Sequence, residues 1–281
     1  MLTGSRVPLR PRALIAQIAI YVVIALAAGG CFFFDVPSEV HTISVGGMQR
    51  TYRLYTPPNL PPNAPLVVVL HGALANTINA ETTSGFDQRA RIGKFLVAYP
   101  DGIDKTWNAY GCCGDATRKN IDDVAFVTAV VNDIPGVDRQ RVYATGLSNG
   151  AMLAYTMACR TDLFAAIGVV AATMFDPCPD PRPTSVMHIQ GMADNLVKFN
   201  GTPKGDTATV DGPPIPDVNA FWRRVDDCAP PEVSKNETVT ITAAKCPDNR
   251  EVVLVTVDDL GHKWPDNAAA AFWKFFERHP N

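Results

Sequence analysis

Gly146-Leu147-Ser148-Asn149-Gly150 constrains this chain more than any other five residues. An apolar run with strand character, Arg141-Val142-Tyr143-Ala144-Thr145, leads into it, and Ala151 to Cys159 leaves it with helical character. A strand that turns directly into a helix brings the helix start against the neighbouring strands, where only small residues leave room. Ser148 then stands at the apex of a strained turn. The same letters also spell a plain helix start with Ser148 or Asn149 as cap. The strand before and the helix after favour the first reading, a nucleophilic serine on a strand-to-helix elbow.

The rest of the chain supplies the sheet such an elbow needs. His41 to Tyr55 alternates around Gly46-Gly47 and predicts a β-hairpin. Pro57 to Pro65 is a proline-rich loop. Leu66-Val67-Val68-Val69-Leu70, Phe95 to Tyr99, Ala165 to Val170, Ser185 to Gln190 and Val252 to Val257 are short, near-continuous apolar runs. Such runs suit strands buried on both faces. Helices are predicted over Ile121–Ile134, Asp217–Cys228 and Ala268–Arg278, with 103–119 as a long connection and 201–216 as an excursion over one end of the sheet. Strands alternating with helices predict an α/β fold, a mostly parallel sheet with helices on both faces.

The first 31 residues read as an export signal. Arg6, Arg10 and Arg12 precede an apolar stretch from Ala13 to Gly30, which ends in small residues before Cys31. Three outcomes stay open: lipidation at Cys31, ordinary cleavage, and an uncleaved membrane anchor. Residues 32–40 read as a tether and 41–281 as one catalytic domain. Seven cysteines less Cys31 leave an even six, and an exported chain makes disulfides the default. Proximity favours Cys159–Cys178 and Cys228–Cys246, leaving Cys112 and Cys113 to each other. Their spacing suits no metal site. A net charge of −3 and no basic stripe speak against nucleic acid.

A serine hydroxyl needs a base to take its proton and an acid to orient that base. His262 is the candidate base, in a Gly261-His262-Lys263-Trp264-Pro265 turn after the last apolar strand. His188 lies inside a strand pattern and reads as a packed core residue, and His279 as a solvated or helix-end residue. Asp194 is the candidate acid, because Gln190-Gly191-Met192-Ala193-Asp194 follows the intervening strand. Asp258 and Asp259 read as solvated turn residues. The oxyanion donors expected are the backbone N–H of Asn149 and that of Ala73, with Leu74 second to Ala73. His71 reads as a buttress of this loop rather than as a base.

The order serine, acid, histidine, each after a strand, is that of α/β-hydrolases. Several segments together resemble the esterase branch that holds poly(3-hydroxybutyrate) depolymerase-like proteins, feruloyl esterases and acetyl xylan esterases. They are Leu70-His71-Gly72, Tyr99-Pro100-Asp101-Gly102, Trp107-Asn108 with Cys112-Cys113, and Asp122-Asp123-Val124. The elbow, Gly191 to Asp194, Val197 to Gly201 and Gly261 to Pro265 complete the set. Leu260 stands where the family has a second glycine, and Met192-Ala193 replace its usual threonine or serine. The resemblance implies an α/β-hydrolase fold, a triad of Ser148, Asp194 and His262, and ester hydrolysis without a cofactor.

Trp107 and Trp264 are candidate substrate walls, with loop anchoring as the other reading of each. Asp122 and Asp123 read as helix caps or substrate contacts. The reading is an exported serine esterase acting on a soluble or tethered ester, with membrane contact only through the N-terminus. A serine peptidase of the same fold and a non-catalytic surface binding protein are the alternatives.

Overall fold

The computed structural model describes residues 37–202 and 210–281. The export segment, Cys31 and residues 32–36 of the tether lie outside the described residues. The strands are β1 (Glu39–Val45), β2 (Met48–Tyr55), β3 (Ala64–Leu70), β4 (Leu96–Pro100), β5 (Val137–Leu147), β6 (Ala166–Val170), β7 (Ser185–Gly191), β8 (Glu232–Lys235), β9 (Val239–Lys245) and β10 (Glu251–Val257). The helices are α1 (Thr77–Ser84), α2 (Phe86–Gly93), α3 (Gly114–Arg118), α4 (Asp123–Asp133), α5 (Asn149–Arg160), α6 (Ile215–Val225) and α7 (Ala268–Phe276).

One sheet runs in the order β1-β2-β4-β3-β5-β6-β7-β10-β9-β8. Its six middle strands, β4 to β10, are parallel, and an antiparallel pair closes each edge. Period-two alternation sorts the side chains between two apolar layers. On β3, Leu66, Val68 and Leu70 pack with Phe126 of α4, Met152 of α5 and Trp222 of α6. Val67 and Val69 face the other way, toward Ala80 of α1, Phe86 of α2 and Phe272 of α7. The result is the predicted sheet with helices on both faces.

Strand order fixes where a ligand can sit. From β3 the chain crosses to β4 on one side and then returns to β5 on the other. The loops after β3 and β5 therefore part company, and open α/β sheets leave a crevice at such a point, beyond the carboxyl ends of the strands. Ser148 follows β5 and Gly72-Ala73 follow β3.

Periodicity gives no element between Leu74 and Lys94, where the structure has α1 and α2. Their sequences explain this. Thr77–Ser84 carries four threonine or serine side chains, and only Phe86 and Ala90 of α2 are buried. Packing against the sheet, not propensity, makes them helical. The 103–119 connection contains α3, β1 starts inside the expected tether, and β8 and β9 extend the sheet past its last predicted strand. β8 is exposed along its length, so it carries no burial pattern to read.

A buried ion pair holds one flank of the crevice. Arg50 of β2 donates to Asp123 at 2.8 Å, with both side chains almost fully buried. The guanidinium also lies 3.8 Å from the Phe126 ring centroid and donates to the Asp101 carbonyl at 3.1 Å. Asp123 in turn accepts from the Asn108 N–H at 2.7 Å, so one carboxylate ties β2, α4 and the 107–113 loop together. Asp122 is the cap, accepting from the Ala125 N–H at 2.8 Å. Asp123→Ala leaves the guanidinium buried and unpaired, and equilibrium denaturation is expected to register a loss of about 3–5 kcal/mol.

Candidate active site

Ser148 sits at the predicted elbow with φ 53° and ψ −122°. Positive φ at a non-glycine residue is strained, and such strain persists only where the surroundings impose it. Here the flanking glycines permit it. A Cβ on Gly146 would lie 2.6 Å from the Gly150 carbonyl carbon and 2.8 Å from the Leu70 carbonyl oxygen. One on Gly150 would run into the carbonyl oxygens of Leu70 and His71. The first turn of α5 therefore lies directly on the end of β3, and the Ser148 N–H is pinned to the carbonyl of Val170, the last residue of β6, at 2.9 Å.

The expected base and acid meet. His262 Nδ1 lies 2.8 Å from Asp194 Oδ2. Asp194 Oδ1 accepts the N–H groups of Leu196 and Val197, each at 2.9 Å. Burial pushes the Asp194 carboxyl up, but the hydrogen bonds from His262, Val197 and Leu196 outweigh it and hold the group below the usual carboxylate range. Asp194 is thus ionised, and an anion opposite Nδ1 keeps the proton there, leaving Nε2 as the basic atom. The two loops are laced together, since the Ala193 N–H donates to the Leu260 carbonyl at 3.1 Å. Leu260, in place of the family's glycine, is buried in the layer beneath α7.

Ser148 and His262 line one cleft of about 430 Å³ with Ala73, Leu74, Leu147, Cys113, Leu196 and Val210. Among the described residues Ser148 Oγ makes no hydrogen bond to the imidazole. Contacts of this kind are often long before substrate binds. Apart from His262, no charged or titrating side chain lines the cleft among the described residues, so its walls suit an uncharged, largely apolar group.

Of the two loop donors considered, the Leu74 N–H is spent on the Lys105 carbonyl at 2.9 Å, which favours Ala73. The Asn149 N–H lies in the first turn of α5, where helix N–H groups lack intrahelical partners. Its side chain does something the sequence did not suggest. Oδ1 accepts the Trp107 N–H at 2.7 Å, and Nδ2 donates to the carbonyls of Trp107 and Cys112 at 3.0 and 3.2 Å. The elbow thereby carries the 107–113 loop.

Trp107 corrects the wall reading. It is fully buried, tilted against the His71 ring at 4.7 Å, and its Nε1 donates to the His71 carbonyl at 2.8 Å. It anchors a loop and has no surface to offer a substrate. Trp264 does not line the serine cleft either. Its Nε1 donates to the Ser84 carbonyl at 3.1 Å, and it faces a separate pocket of about 50 Å³ that shares Gly72, Ala75 and Leu147 with the cleft.

His71 buttresses the loop as expected. Gly102 N–H donates to its Nε2 at 2.9 Å, so Nδ1 carries the proton and donates to the Gly72 carbonyl at 2.8 Å. Burial keeps its pKa below the ordinary imidazole range. Asp258 and Asp259 are exposed. His279 is not solvated: it is buried at the end of α7, with Nδ1 3.2 Å from the Phe275 carbonyl. Among the described residues the disulfides are Cys112–Cys113, Cys159–Cys178 and Cys228–Cys246, the pairing favoured by proximity.

A sequence profile of the family described as Esterase PHB depolymerase matches residues 50–192. A protein named as an esterase, NocK, of Nocardia uniformis subsp. tsuyamanensis is 31% identical over 82% of this chain and 75% of its own length. Feruloyl esterase B of Piromyces equi is 27% identical over 76% of this chain, which spans only 42% of that longer protein. Among solved structures, the acetyl xylan esterase of Aspergillus awamori superposes with a TM-score of 0.61 at 16% identity, over 85% of this chain and 99% of that one. At that identity the likeness speaks for the fold.

Two outcomes are expected from this geometry. Gly150→Ala should push α5 off β3 and cost at least about tenfold in any activity that depends on Ser148, read as kcat on purified, folded protein. Burial also lowers the His188 pKa to about 4. The unfolded chain, with an ordinary imidazole pKa near 6.5, then binds the extra proton first as pH falls. This contribution is intact above about pH 6.5 and is lost progressively down to about pH 4, by up to about 3 kcal/mol. His188→Phe should flatten that part of the stability–pH curve measured by urea denaturation.

Proposed function

Because this chain belongs to the Esterase PHB depolymerase family, we propose that it is an exported serine esterase whose triad is Ser148, Asp194 and His262. The family and its relatives make it a carboxylic ester hydrolase. The serine mechanism is the reading its residues support best. One observation carries it: an ionised Asp194 holds the His262 ring at 2.8 Å in a cleft that also contains a strained, elbow-borne Ser148.

The steps follow from the donors and acceptors. Ser148 Oγ attacks the ester carbonyl while His262 Nε2 takes its proton. The charge that develops on the carbonyl oxygen is met by the N–H groups of Asn149 and Ala73, the former reinforced by the positive end of α5. His262 then protonates the departing alcohol. Water repeats the sequence on the acyl-enzyme, with His262 again as base. Asp194 keeps the ring in the right tautomer and stabilises the imidazolium that forms in each half-reaction.

The cleft's uncharged walls support a neutral acyl group, with acetyl, feruloyl and 3-hydroxybutyryl esters as the candidates. Export is supported by the arginine-led apolar leader and by three disulfides, which persist in oxidising compartments. No helix among the described residues is long and apolar enough to cross a membrane. Lipid attachment through Cys31 is tested by mass spectrometry of the purified N-terminus.

Ser148→Ala should lower kcat on a short p-nitrophenyl ester by about 10³-fold or more and abolish labelling by a fluorophosphonate. Full activity in that variant refutes the mechanism. A panel of the three ester types then ranks the acyl groups by kcat/KM.

A further inference from the structure

Behind Asp194 the sheet carries a second line of polar side chains that the triad does not account for. His188 and Gln190 lie two residues apart on β7 and so face the same side, toward α5. Both are buried. Tyr155 OH of α5 is 2.9 Å from His188 Nδ1, and His188 Nε2 is 3.3 Å from Gln190 Oε1. Gln190 Nε2 reaches the carbonyls of Val197 at 2.9 Å and Gly191 at 3.3 Å, and Asp194 Oδ2 at 3.3 Å.

Only one set of proton positions satisfies this line. Backbone carbonyls accept and never donate, so the Gln190 amide must turn its NH2 toward Val197, Gly191 and Asp194. Its oxygen then faces His188 and needs a donor, which only Nε2–H can be. Nδ1 is left bare and accepts the Tyr155 hydroxyl proton. The titratable groups along the line are Tyr155 from α5, His188 from β7, Asp194 from the loop after β7, and His262 from the loop after β10.

We propose that Gln190, locked by His188 and Tyr155, is a positioning residue that fixes the Asp194 carboxylate and sets the basicity of His262. The proposal rests on the triad reading above. Asp194 Oδ2 is the oxygen that His262 uses, so the Gln190 N–H shares its negative charge and holds the carboxylate plane facing the ring. In a buried site such hydrogen bonds act at low effective dielectric, and removing one concentrates charge on the oxygen left behind. A neutral His188 is what holds the amide in this orientation, and burial keeps that ring neutral down to about pH 4.

The test measures kcat and KM against pH on a p-nitrophenyl ester for Gln190→Leu, His188→Phe and the double variant, with Ser148→Ala alongside and melting curves for each. For folded Gln190→Leu, kcat should fall about tenfold, the loss expected for one hydrogen bond to a charged group, with KM little changed. Its acid limb should move to higher pH, because an Asp194 with fewer donors raises the proton affinity of His262. His188→Phe should move both in the same direction by less. The double variant should be no worse than Gln190→Leu, since both substitutions break one line. A folded Gln190→Leu with the parent's kcat and acid limb overturns the proposal, and so do additive losses in the double variant. If Gln190→Leu does not fold, an unshifted acid limb in His188→Phe overturns it. Activity retained by Ser148→Ala instead sinks the triad reading, which separates the two failures.

Discussion

The contact between the first turn of α5 and the end of β3 is the constraint on which the rest depends. Gly146 and Gly150 allow backbone to lie on backbone there, and Ser148 is left with a positive φ that no cap or turn propensity would select. The strain, of order 1–3 kcal/mol, is offset by fully buried side chains along α5 and by the Ser148 N–H bond to Val170. The same close packing puts the Asn149 amide and the Gly72-Ala73 loop at one crevice. The nucleophile and the oxyanion donors proposed above would therefore be one structural decision, not two.

Around that contact the cleft is held by polar groups that do not line it. The Asn149 side chain carries the 107–113 loop, Trp107 and His71 stiffen it from beneath, and the Arg50–Asp123 pair fixes its far side. On the other flank the loops that carry Asp194 and His262 are laced backbone to backbone between Ala193 and Leu260. Each arrangement ties down a connection at the carboxyl end of a parallel strand. Chemistry that tolerates little misplacement is thus carried on loops with little freedom.

The elbow, the layered sheet and the two loops that bring Asp194 to His262 are legible because each begins as a local pattern. Glycines flank a serine, and apolar runs of strand length alternate with helical periods. The helices over 77–93 were not legible, because their residues have weak intrinsic preference and are made helical by what they pack on. Trp107 was ambiguous for a related reason. An aromatic residue in a loop rich in polar neighbours can face in or out, and only the 0% exposure of its side chain decides. His279 lies near the chain end, where a solvated and a helix-end role read alike, and the fold decides for the second by burying it just past α7 against Phe275.

What the sequence determined alone was the strand-to-helix elbow at Ser148 and the side of the sheet on which each strand residue falls, since both depend on neighbours within a few positions. Tertiary structure decided which polar groups pair across distance: Arg50 with Asp123, Asn149 with Trp107 and Cys112, and Tyr155 through His188 and Gln190 to Asp194. Those partners lie tens of residues apart along most of these links. Burial forces each to find hydrogen bonds, but only the folded sheet settles which groups are within reach.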